Sequence, residues 1–209
     1  MTLRSTISSI LLFCLLVLTA PQAGSTEAGA GKTVRVSPDG PLRTISEAIA
    51  SASPGDEIIV EGPGVYIEHV VVDKPLTLTG EGGPVIDGGG TGTVVTIQGA
   101  GAVFKGFTVK GSGTRLSSED SGILVDSAPD AAVVGNRLED ILFGIYVKGS
   151  NGVVVSENVI TGKDLPMPKR GDGIRLWYSS GTRILDNRVS RVRDVVIWWS
   201  SDTLLKGNV

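Results

Sequence analysis

The best candidates for acid–base chemistry in this sequence are Asp172 and Asp194. They lie in two similar stretches, GDGIRLWYSS at residues 171–180 and VRDVVIWWSS at residues 192–201. An inverting glycoside hydrolase needs carboxylates grouped across the scissile bond. Such enzymes are usually helped by a histidine, but the single histidine, His69, lies far earlier in the chain. The two carboxylates therefore indicate hydrolase chemistry only weakly.

A second acidic group consists of Glu119, Asp120 and Asp126, and the basic residue Lys148 is expected near it. A calcium-dependent polysaccharide lyase needs clustered acids together with a basic side chain. Acids at turns also bond to local backbone amides, which is the structural alternative. The residues favour the structural alternative, and a polysaccharide lyase or hydrolase stays open as a second function.

Soft metal ligands are scarce in this sequence. Cys14 is the single cysteine, and it lies in an apolar run near the amino terminus. His69 and Met167 are far apart, whereas copper prefers several imidazole, thioether or thiolate ligands together. The sequence therefore predicts no metal ligands and no cofactor within this chain.

The formal net charge is −3, from 19 basic and 22 acidic residues. A mildly acidic protein has no overall electrostatic attraction to nucleic acid or anionic lipid. We therefore expect no nucleic-acid partner, although a local basic patch is compatible with this balance.

An aromatic motif returns at a fixed interval. Trp-Tyr-Ser-Ser at residues 177–180 recurs as Trp-Trp-Ser-Ser at residues 198–201, which is 21 residues later. Recurrence at this interval is typical of repeat architectures, so equivalent side chains should occupy equivalent places in successive structural units.

Four segments share one pattern. An apolar residue follows the first residue of each segment at positions 1, 3 and 11, and an asparagine follows at position 14. The segments begin at Gly122, Gly144, Gly173 and Asp194. Their asparagines are Asn136, Asn158, Asn187 and Asn208. The spacing also predicts a weaker copy from Gly92, with Val95 at an apolar position and Gly106 in place of the asparagine.

A unit of about 21 residues that contains only short strands cannot bury its own apolar side chains. Stacking such units about 4.8 Å apart buries these side chains and pairs the strands in parallel. The sequence therefore predicts an all-β, right-handed parallel β-helix of the pectin-lyase-like type, in which the asparagines form an inward ladder. Residues 162–170 and a segment between residues 106 and 122 are predicted to be inserted loops.

A short helix is predicted at the start of this domain. Thr44 and Glu47 have the spacing of a capping box. Apolar residues follow on one helical face, namely Ile45, Ala48, Ile49 and Ala52. We expect this helix to cover the first coil and its open strand edges.

Residues 1–30 are predicted to be a signal peptide and linker, and residues 31–209 the β-helix domain. Arg4 precedes an apolar run at residues 10–20, which is too short for a permanent membrane span. Cleavage is expected near Ala23 or Ala30, which predicts a periplasmic or secreted protein. Because the chain stops inside a repeat, we also expect the carboxyl-terminal part of the solenoid to be missing.

The alignment of the four segments by position, which we call the repeat map, places an aromatic patch on the outside of the solenoid. Positions 2 and 4 should point outward, because positions 1 and 3 are apolar and strand side chains alternate. The predicted partner- or ligand-binding patch comprises Tyr146, Arg175, Trp177, Val196 and Trp198, with Asp172, Arg193 and Asp194 at its edge. Three interpretations remain open: an aromatic stack that only stabilises the solenoid or is covered by the missing carboxyl-terminal part, a protein-docking surface, or a platform for sugar rings.

Residues 34–112 and 121–209, which make up nearly the whole mature chain, resemble the NosD family. The matching stretches are TISEAIASASPGDEIIVEGPGVYIEHVVVDKPLTLTGEG, PVIDGGGTG, and GDGIRLWYSS followed by VRDVVIWWSS. The resemblance implies an exported, non-enzymatic accessory protein that acts with the permease and ATPase of an ABC transporter in maturing the copper-sulfur centre of nitrous oxide reductase. It also implies an association with copper, although the His- and Met-containing segment expected in the family would follow residue 209. The alternative is a secreted β-helix that binds or cleaves polysaccharide.

Overall fold

Short parallel strands form most of the structure, a computed structural model that describes residues 31–209. The predicted signal peptide and its cleavage sites lie outside the described residues. Successive strands of the chain enter three sheets in turn. Sheet A contains β1 (Thr33–Val36), β2 (Glu57–Glu61), β5 (Thr77–Glu81), β8 (Val103–Lys105), β11 (Ala132–Val134), β14 (Val154–Ser156), β17 (Arg183–Leu185) and β20 (Leu204–Lys206).

The other two sheets complete each coil. Sheet B contains β3 (Val65–Ile67), β6 (Val85–Asp87), β9 (Thr108–Lys110), β12 (Arg137–Ile141), β15 (Val159–Gly162) and β18 (Arg188–Ser190). Sheet C contains β4 (Val70–Val72), β7 (Val95–Ile97), β10 (Ser121–Asp126), β13 (Phe143–Lys148), β16 (Ile174–Trp177) and β19 (Val195–Trp198). Each full coil therefore contributes one strand to each sheet.

The strand register follows the sequence repeat. Ile145 pairs with Ile174 and Val147 pairs with Leu176, so equivalent apolar positions of successive coils lie above one another. These inward side chains are fully buried, except that Ile174 is 1% exposed. The predicted parallel β-helix is confirmed, because its core is a set of apolar columns that no single coil could bury.

The weaker repeat before residue 122 was predicted in the wrong register. Val95 pairs with Ile123, which is position 1 of its coil rather than position 3. Phe107, rather than Gly106, donates its backbone N–H to the side chain of Asn136 at 3.1 Å. An apolar residue therefore occupies the asparagine position in this coil, and that substitution hides the repeat in the sequence.

Helix α1 (Ile45–Ser51) packs against the first coils, as predicted. The hydroxyl of Thr44 accepts a hydrogen bond from the N–H of Glu47 at 3.2 Å and caps the helix. The N–H groups of Ile45 and Ser46 donate to the carboxylate of Glu68 at 2.8 and 3.0 Å. A side chain from the following coil thus fixes the start of the helix.

The two inserted segments leave the coil stack intact. Each contains one turn of 3-10 helix, at Leu116–Ser118 and at Met167–Lys169. Strands β7, β10, β13 and β16 pair in continuous register across both insertions. The insertions therefore add loops beside sheet C without shifting the columns. Among residues 31–209, no helix has the length and hydropathy needed to cross a membrane.

Candidate partner-binding surface

An asparagine column lies at one corner of the core. The Nδ2 of Asn136 donates to Oδ1 of Asn158 at 3.1 Å. The Nδ2 groups of Asn158 and Asn187 donate in the same way to Asn187 and Asn208, both at 2.9 Å. Each Oδ1 also accepts the backbone N–H of the asparagine one coil earlier. The column thus satisfies buried polar groups at a corner where the strands are interrupted.

A serine column at another corner was not predicted. The hydroxyl of Ser150 accepts the N–H of Ala128 at 2.9 Å. Ser179 accepts from Ser150, and Ser200 accepts from Ser179, at 3.1 and 2.9 Å. Part of the signal was present in the sequence, because serine recurs six residues after three of the four repeat origins, at Ser150, Ser179 and Ser200, and the last two follow the aromatic pair.

On the outer face of sheet C, the structure brings the tryptophans together. Asp126, Lys148, Trp177 and Trp198 are consecutive register partners. The rings of Trp177 and Trp198 meet edge to face, with centroids 5.5 Å apart. Trp198 is 44% exposed and lies in the last described coil, where the inward side chain of Ile197 is 37% exposed as well.

A second aromatic pair occupies the corner that follows β16 and β19. The rings of Tyr178 and Trp199 are nearly parallel, with centroids 5.2 Å apart, and Trp199 lies 4.5 Å from Trp177. Both residues are more than half exposed. We call Tyr178 and Trp199 the aromatic corner. The sequence left their orientation undecided, because a corner interrupts the alternation of a strand.

The backbone at the aromatic corner is left-handed, with φ of +48° at Tyr178 and +47° at Trp199. Earlier coils place Ser127 and Gly149 at the same corner, with φ of +56° and +57°. A bulky residue in this region costs about 1–2 kcal/mol relative to a right-handed conformation. Large aromatic residues therefore occupy a turn position where glycine would avoid this cost.

The prediction that Tyr146 and Arg175 lie on the open surface is wrong. Tyr146 is only 4% exposed and Arg175 only 9%. Both lie at outward positions of the strand, but Glu119 of the first inserted loop and Phe143 contact Arg175, and the Arg175 guanidinium in turn lies over the Tyr146 ring. The repeat map fixes on which side of a strand a side chain lies, and it contains no information about loops that fold back over that side.

Glu119, Phe143, Tyr146 and Arg175 form a group that we call the covered cluster. The Arg175 guanidinium lies at its centre. Its Cζ lies 5.3 Å from the Phe143 ring, 5.4 Å from the Tyr146 ring and 5.0 Å from the Trp198 ring. Its Nη1 donates to the Glu119 carboxylate at 2.6 Å. Arg175 thus combines cation–π contacts with an ion pair and connects an inserted loop to an exposed tryptophan.

Asp172 is also buried, contrary to its predicted place at the patch edge. Its side chain lies 3.3 Å from Nε of Arg175 and 2.9 Å from Nη2 of Arg193. Arg193 in turn lies 3.4 Å from the exposed carboxylate of Asp194. Asp172 is therefore enclosed by two guanidinium groups, an arrangement that supports the structure and leaves it poorly placed to act on a glycosidic bond.

The covered cluster changes the pKa of the Tyr146 phenol. Burial, with a smaller contribution from the nearby Glu119 carboxylate, raises the pKa of Tyr146 above its ordinary value. The phenol is therefore held in its neutral form under the cover of the loop.

The second acidic group has local structural partners. Glu119 pairs with Arg175, and the buried carboxylate of Asp120 accepts the backbone N–H of Arg115 at 2.9 Å. Asp126 and Lys148 are register neighbours on an outer face. These contacts are those expected of acids that stabilise turns, and they do not bring the three carboxylates together around a cation.

The described residues do not fit a metal centre. Within residues 31–209 there is no group of three or more His, Cys, Asp and Glu side chains suited to a metal ion. Nδ1 of His69 lies 2.7 Å from the carbonyl oxygen of Thr93, and Nε2 lies 3.3 Å from the hydroxyl of Thr91. Met167 lies exposed in the second inserted loop.

A family model described as periplasmic copper-binding protein (NosD) matches residues 49–209 of the chain. A probable ABC transporter binding protein NosD of Pseudomonas aeruginosa is 35% identical over 63% of this chain and 31% of the relative. The protein of the same name from Stutzerimonas stutzeri is 32% identical over 63% of this chain and 30% of the relative.

Among solved structures, the catalytic domain of a GH87 alpha-1,3-glucanase superposes on 85% of this chain and 32% of its own, with a TM-score of 0.64 and 16% identity. This likeness shows the fold alone. The aligned regions cover about 30% of the length of the two curated relatives.

Proposed function

The chain belongs to the NosD family of periplasmic copper-binding proteins, and we propose that it is an exported accessory protein without catalytic activity of its own. In this proposal it acts with the permease and ATPase of an ABC transporter during maturation of the copper-sulfur centre of nitrous oxide reductase. The match of the family model to residues 49–209, together with the names of the relatives as ABC transporter binding proteins, carries the proposal.

The proposed contribution of residues 31–209 is a binding surface rather than a metal centre. Copper needs soft ligands grouped at one place, and the single histidine of the chain already contacts two threonines. No step of the proposed function is therefore assigned to copper bound at these residues.

We propose that the partner contacts the outer face of sheet C. Trp198 is exposed there beside Trp177, and the Arg193–Asp194 ion pair lies near it on the same coils. Trp, Tyr and Arg are the residue types that most often dominate the energy of protein–protein binding. A rigid sheet holds these side chains, so little conformational entropy would be lost on binding.

The covered cluster holds Trp198 in place on this surface. Arg175 contacts the Trp198 ring at 5.0 Å and is itself fixed by Glu119 and Asp172. The residues Tyr146, Asp172 and Arg175 therefore act as positioning residues in this proposal, whereas Trp177, Arg193, Asp194 and Trp198 would touch the partner.

The substitution Trp198→Ala tests the proposal. We expect it to reduce capture of the detergent-solubilised ABC transporter by the tagged protein at least tenfold. A tryptophan at the centre of a protein interface commonly contributes about 2 kcal/mol or more to the binding free energy. The melting temperature should change little, since the ring is largely outside the core. Binding assays with surface-immobilised transporter measure the affinity.

The matched control is Ile67→Ala, which removes an exposed apolar side chain, 77% exposed, from the first strand of sheet B. This control should bind the transporter like the unmodified protein. Equal binding by the Trp198→Ala variant would refute the surface assignment. Retention of the protein on a polysaccharide column, lost in the same variant, would instead support the carbohydrate-binding alternative.

A further inference from the structure

A cavity of about 350 Å³ lies between the turn before β7 and the first inserted loop. Gly90 and Gly92 of that turn line one part of it, and Thr114, Arg115 and Asp120 of the loop line another. Further coils are stacked on both sides of the coil that contains β7. Pockets that hold small molecules have volumes of roughly 300–1,000 Å³. The cavity therefore has room for a small ligand of one or two rings.

Asp120 brings a free hydrogen-bond acceptor to this cavity. Its side chain is only 4% exposed, and its Oδ2 accepts the backbone N–H of Arg115 at 2.9 Å. Within residues 31–209, Oδ1 of Asp120 accepts no hydrogen bond, yet it is not closed off from solvent. Because Asp120 lines the cavity, this oxygen is available to a ligand that enters there.

Hydrogen-bond donors line the same cavity. Among the described residues, the backbone N–H groups of Gly92 and Thr114 donate to no acceptor. The Arg115 side chain is 72% exposed, and its Nε lies 3.9 Å from Oδ2 of Asp120, which is too long for a hydrogen bond. Its guanidinium therefore keeps donors free. The cavity thus combines several donors with one charged acceptor.

The charges at this cavity balance, because the one acidic and the one basic residue of its wall have opposite signs. The neighbouring charges have partners of their own. Glu119 pairs with Arg175 at 2.6 Å, and Asp87 pairs with Lys110 at 3.2 Å. The ring of His69 contacts the hydroxyl of a threonine in the wall, with Nε2 at 3.3 Å. The arrangement therefore favours neither an anion nor a cation.

A sugar ring matches this combination of groups. Each sugar hydroxyl donates one hydrogen bond and can accept two, so adjacent hydroxyls can donate to Asp120 and accept from the neighbouring N–H groups. An ammonium ligand has three donors, and Asp120 offers it a single free oxygen. A carboxylate or phosphate ligand would be repelled by Asp120. Gly90 and Gly92 have no side chains, which allows a ring to approach the backbone closely.

We propose that this cavity binds one neutral pyranose ring of a glycan. One hydroxyl of the ring donates to Oδ1 of Asp120, and neighbouring hydroxyls accept from the N–H groups of Gly92 and Thr114 and from the Arg115 guanidinium. This site is separate from the outer face of sheet C, and it does not depend on the proposed function.

An adjoining cavity of about 400 Å³ gives the direction in which the glycan continues. The two cavities share Thr114, and the second one lies between the two inserted loops, where Leu116, Leu165 and Lys169 line it. The leucine side chains provide an apolar wall, and the Lys169 ammonium provides a donor. The next sugar unit would occupy this space.

Saturation-transfer NMR tests the proposal. The exported, processed protein is mixed in turn with the methyl glycosides of glucose, galactose, mannose and N-acetylglucosamine. We expect magnetisation transfer to at least one of them, followed by a saturable titration. Absence of binding to all four would overturn the proposal, and it would leave transporter capture, and with it the proposed function, unaffected.

Two variants locate the site. Asp120→Asn should weaken binding of the sugar about tenfold or more, because a charged acceptor is replaced. The carbonyl oxygen of the new amide can still accept the N–H of Arg115. Arg115→Ala should weaken binding about threefold or more, since one set of donors is lost. Its side chain is largely exposed, so this variant is expected to fold and decides the question if Asp120→Asn does not.

The matched control is Arg35→Ala in the first strand of sheet A. The Arg35 side chain is 58% exposed and pairs with Glu61 at 3.0 Å, so an exposed, ion-paired arginine is again removed. This control should bind the sugar like the unmodified protein. Unchanged binding in Arg115→Ala and in a folded Asp120→Asn variant would overturn the proposal. Loss of binding in Trp198→Ala alone would also overturn it and would assign the sugar to sheet C.

Discussion

At the scale of single residues, the same side-chain type has different roles according to the side of the strand on which it lies. Asparagines at the inner corner bond to one another and to backbone groups of neighbouring coils. Asn151, which is exposed, accepts one hydrogen bond from the N–H of Ser180 at 2.9 Å. This contrast allows the asparagine column to be tested against a control of the same residue type.

The substitution Asn158→Ala should lower the free energy of unfolding by about 3 kcal/mol. It leaves the backbone N–H and the Nδ2 of Asn136, now facing Oδ1 of Asn158 at 3.0 and 3.1 Å, without their acceptor inside the core. Urea denaturation monitored by circular dichroism gives the value. Asn151→Ala should cost less than about 1 kcal/mol because its partner can bond to water. Equal losses in the two variants would show that the column adds nothing beyond an ordinary surface hydrogen bond.

At the scale of the structural element, the repeat origin explains why coils can stack so closely. A Cβ at Gly144 would overlap the carbonyl oxygen of Gly173 in the next coil and would meet Cγ2 of Ile160 at 2.7 Å. The sequence shows glycine at this position in several coils. The tertiary structure adds the cause, which is a close approach of backbone from one coil to the next rather than an unusual φ.

We expect Gly144→Ala to destabilise the protein by about 3 kcal/mol or more, since the neighbouring group is backbone and cannot move aside easily. Gly149→Ala is the matched control. Its φ is +57° and the nearest atom to an added Cβ lies at 3.7 Å, so only backbone strain of about 1 kcal/mol is expected. Thermal unfolding of both variants measures the difference. Tolerance of alanine at position 144 comparable with that at position 149 would contradict the close-approach explanation.

At the scale of the whole molecule, the chain is a rigid stack with an acidic half and a basic, aromatic half. Its inserted loops cover part of sheet C, whereas Trp198 and the aromatic corner are exposed. The proposed protein contact lies in the basic half, on the outer face of sheet C. It places no group of metal ligands within residues 31–209.

Copper titration tests the prediction that residues 31–209 contain no copper site. We expect isothermal calorimetry of the exported, processed protein to detect no tight stoichiometric site for Cu(I) or Cu(II), because His69 and Met167 lie in different parts of the fold. The His69→Gln variant serves as the control for weak adventitious binding. A one-to-one complex that survives a competing chelator would show that these residues contain a site.

The sequence alone determined the architecture of this protein. Residue types at positions 1, 3, 11 and 14 of each repeat specify which side chains enter the core, because stacking in register places like positions in one column. The same logic correctly predicted that Trp177 lies beneath Trp198. It failed for the coil in which Phe107 replaces an asparagine, since the pattern there is no longer visible.

Only the tertiary structure decided which outward side chains reach solvent. Tyr146, Asp172 and Arg175 occupy outward or edge positions in the repeat, yet Glu119, Phe143 and Arg193 surround them. Tyr178 and Trp199 became the exposed corner instead. The physical reason is that a repeat specifies short-range geometry within and between adjacent coils, whereas the cover provided by an inserted loop depends on contacts between residues as far apart in sequence as Glu119 and Arg175.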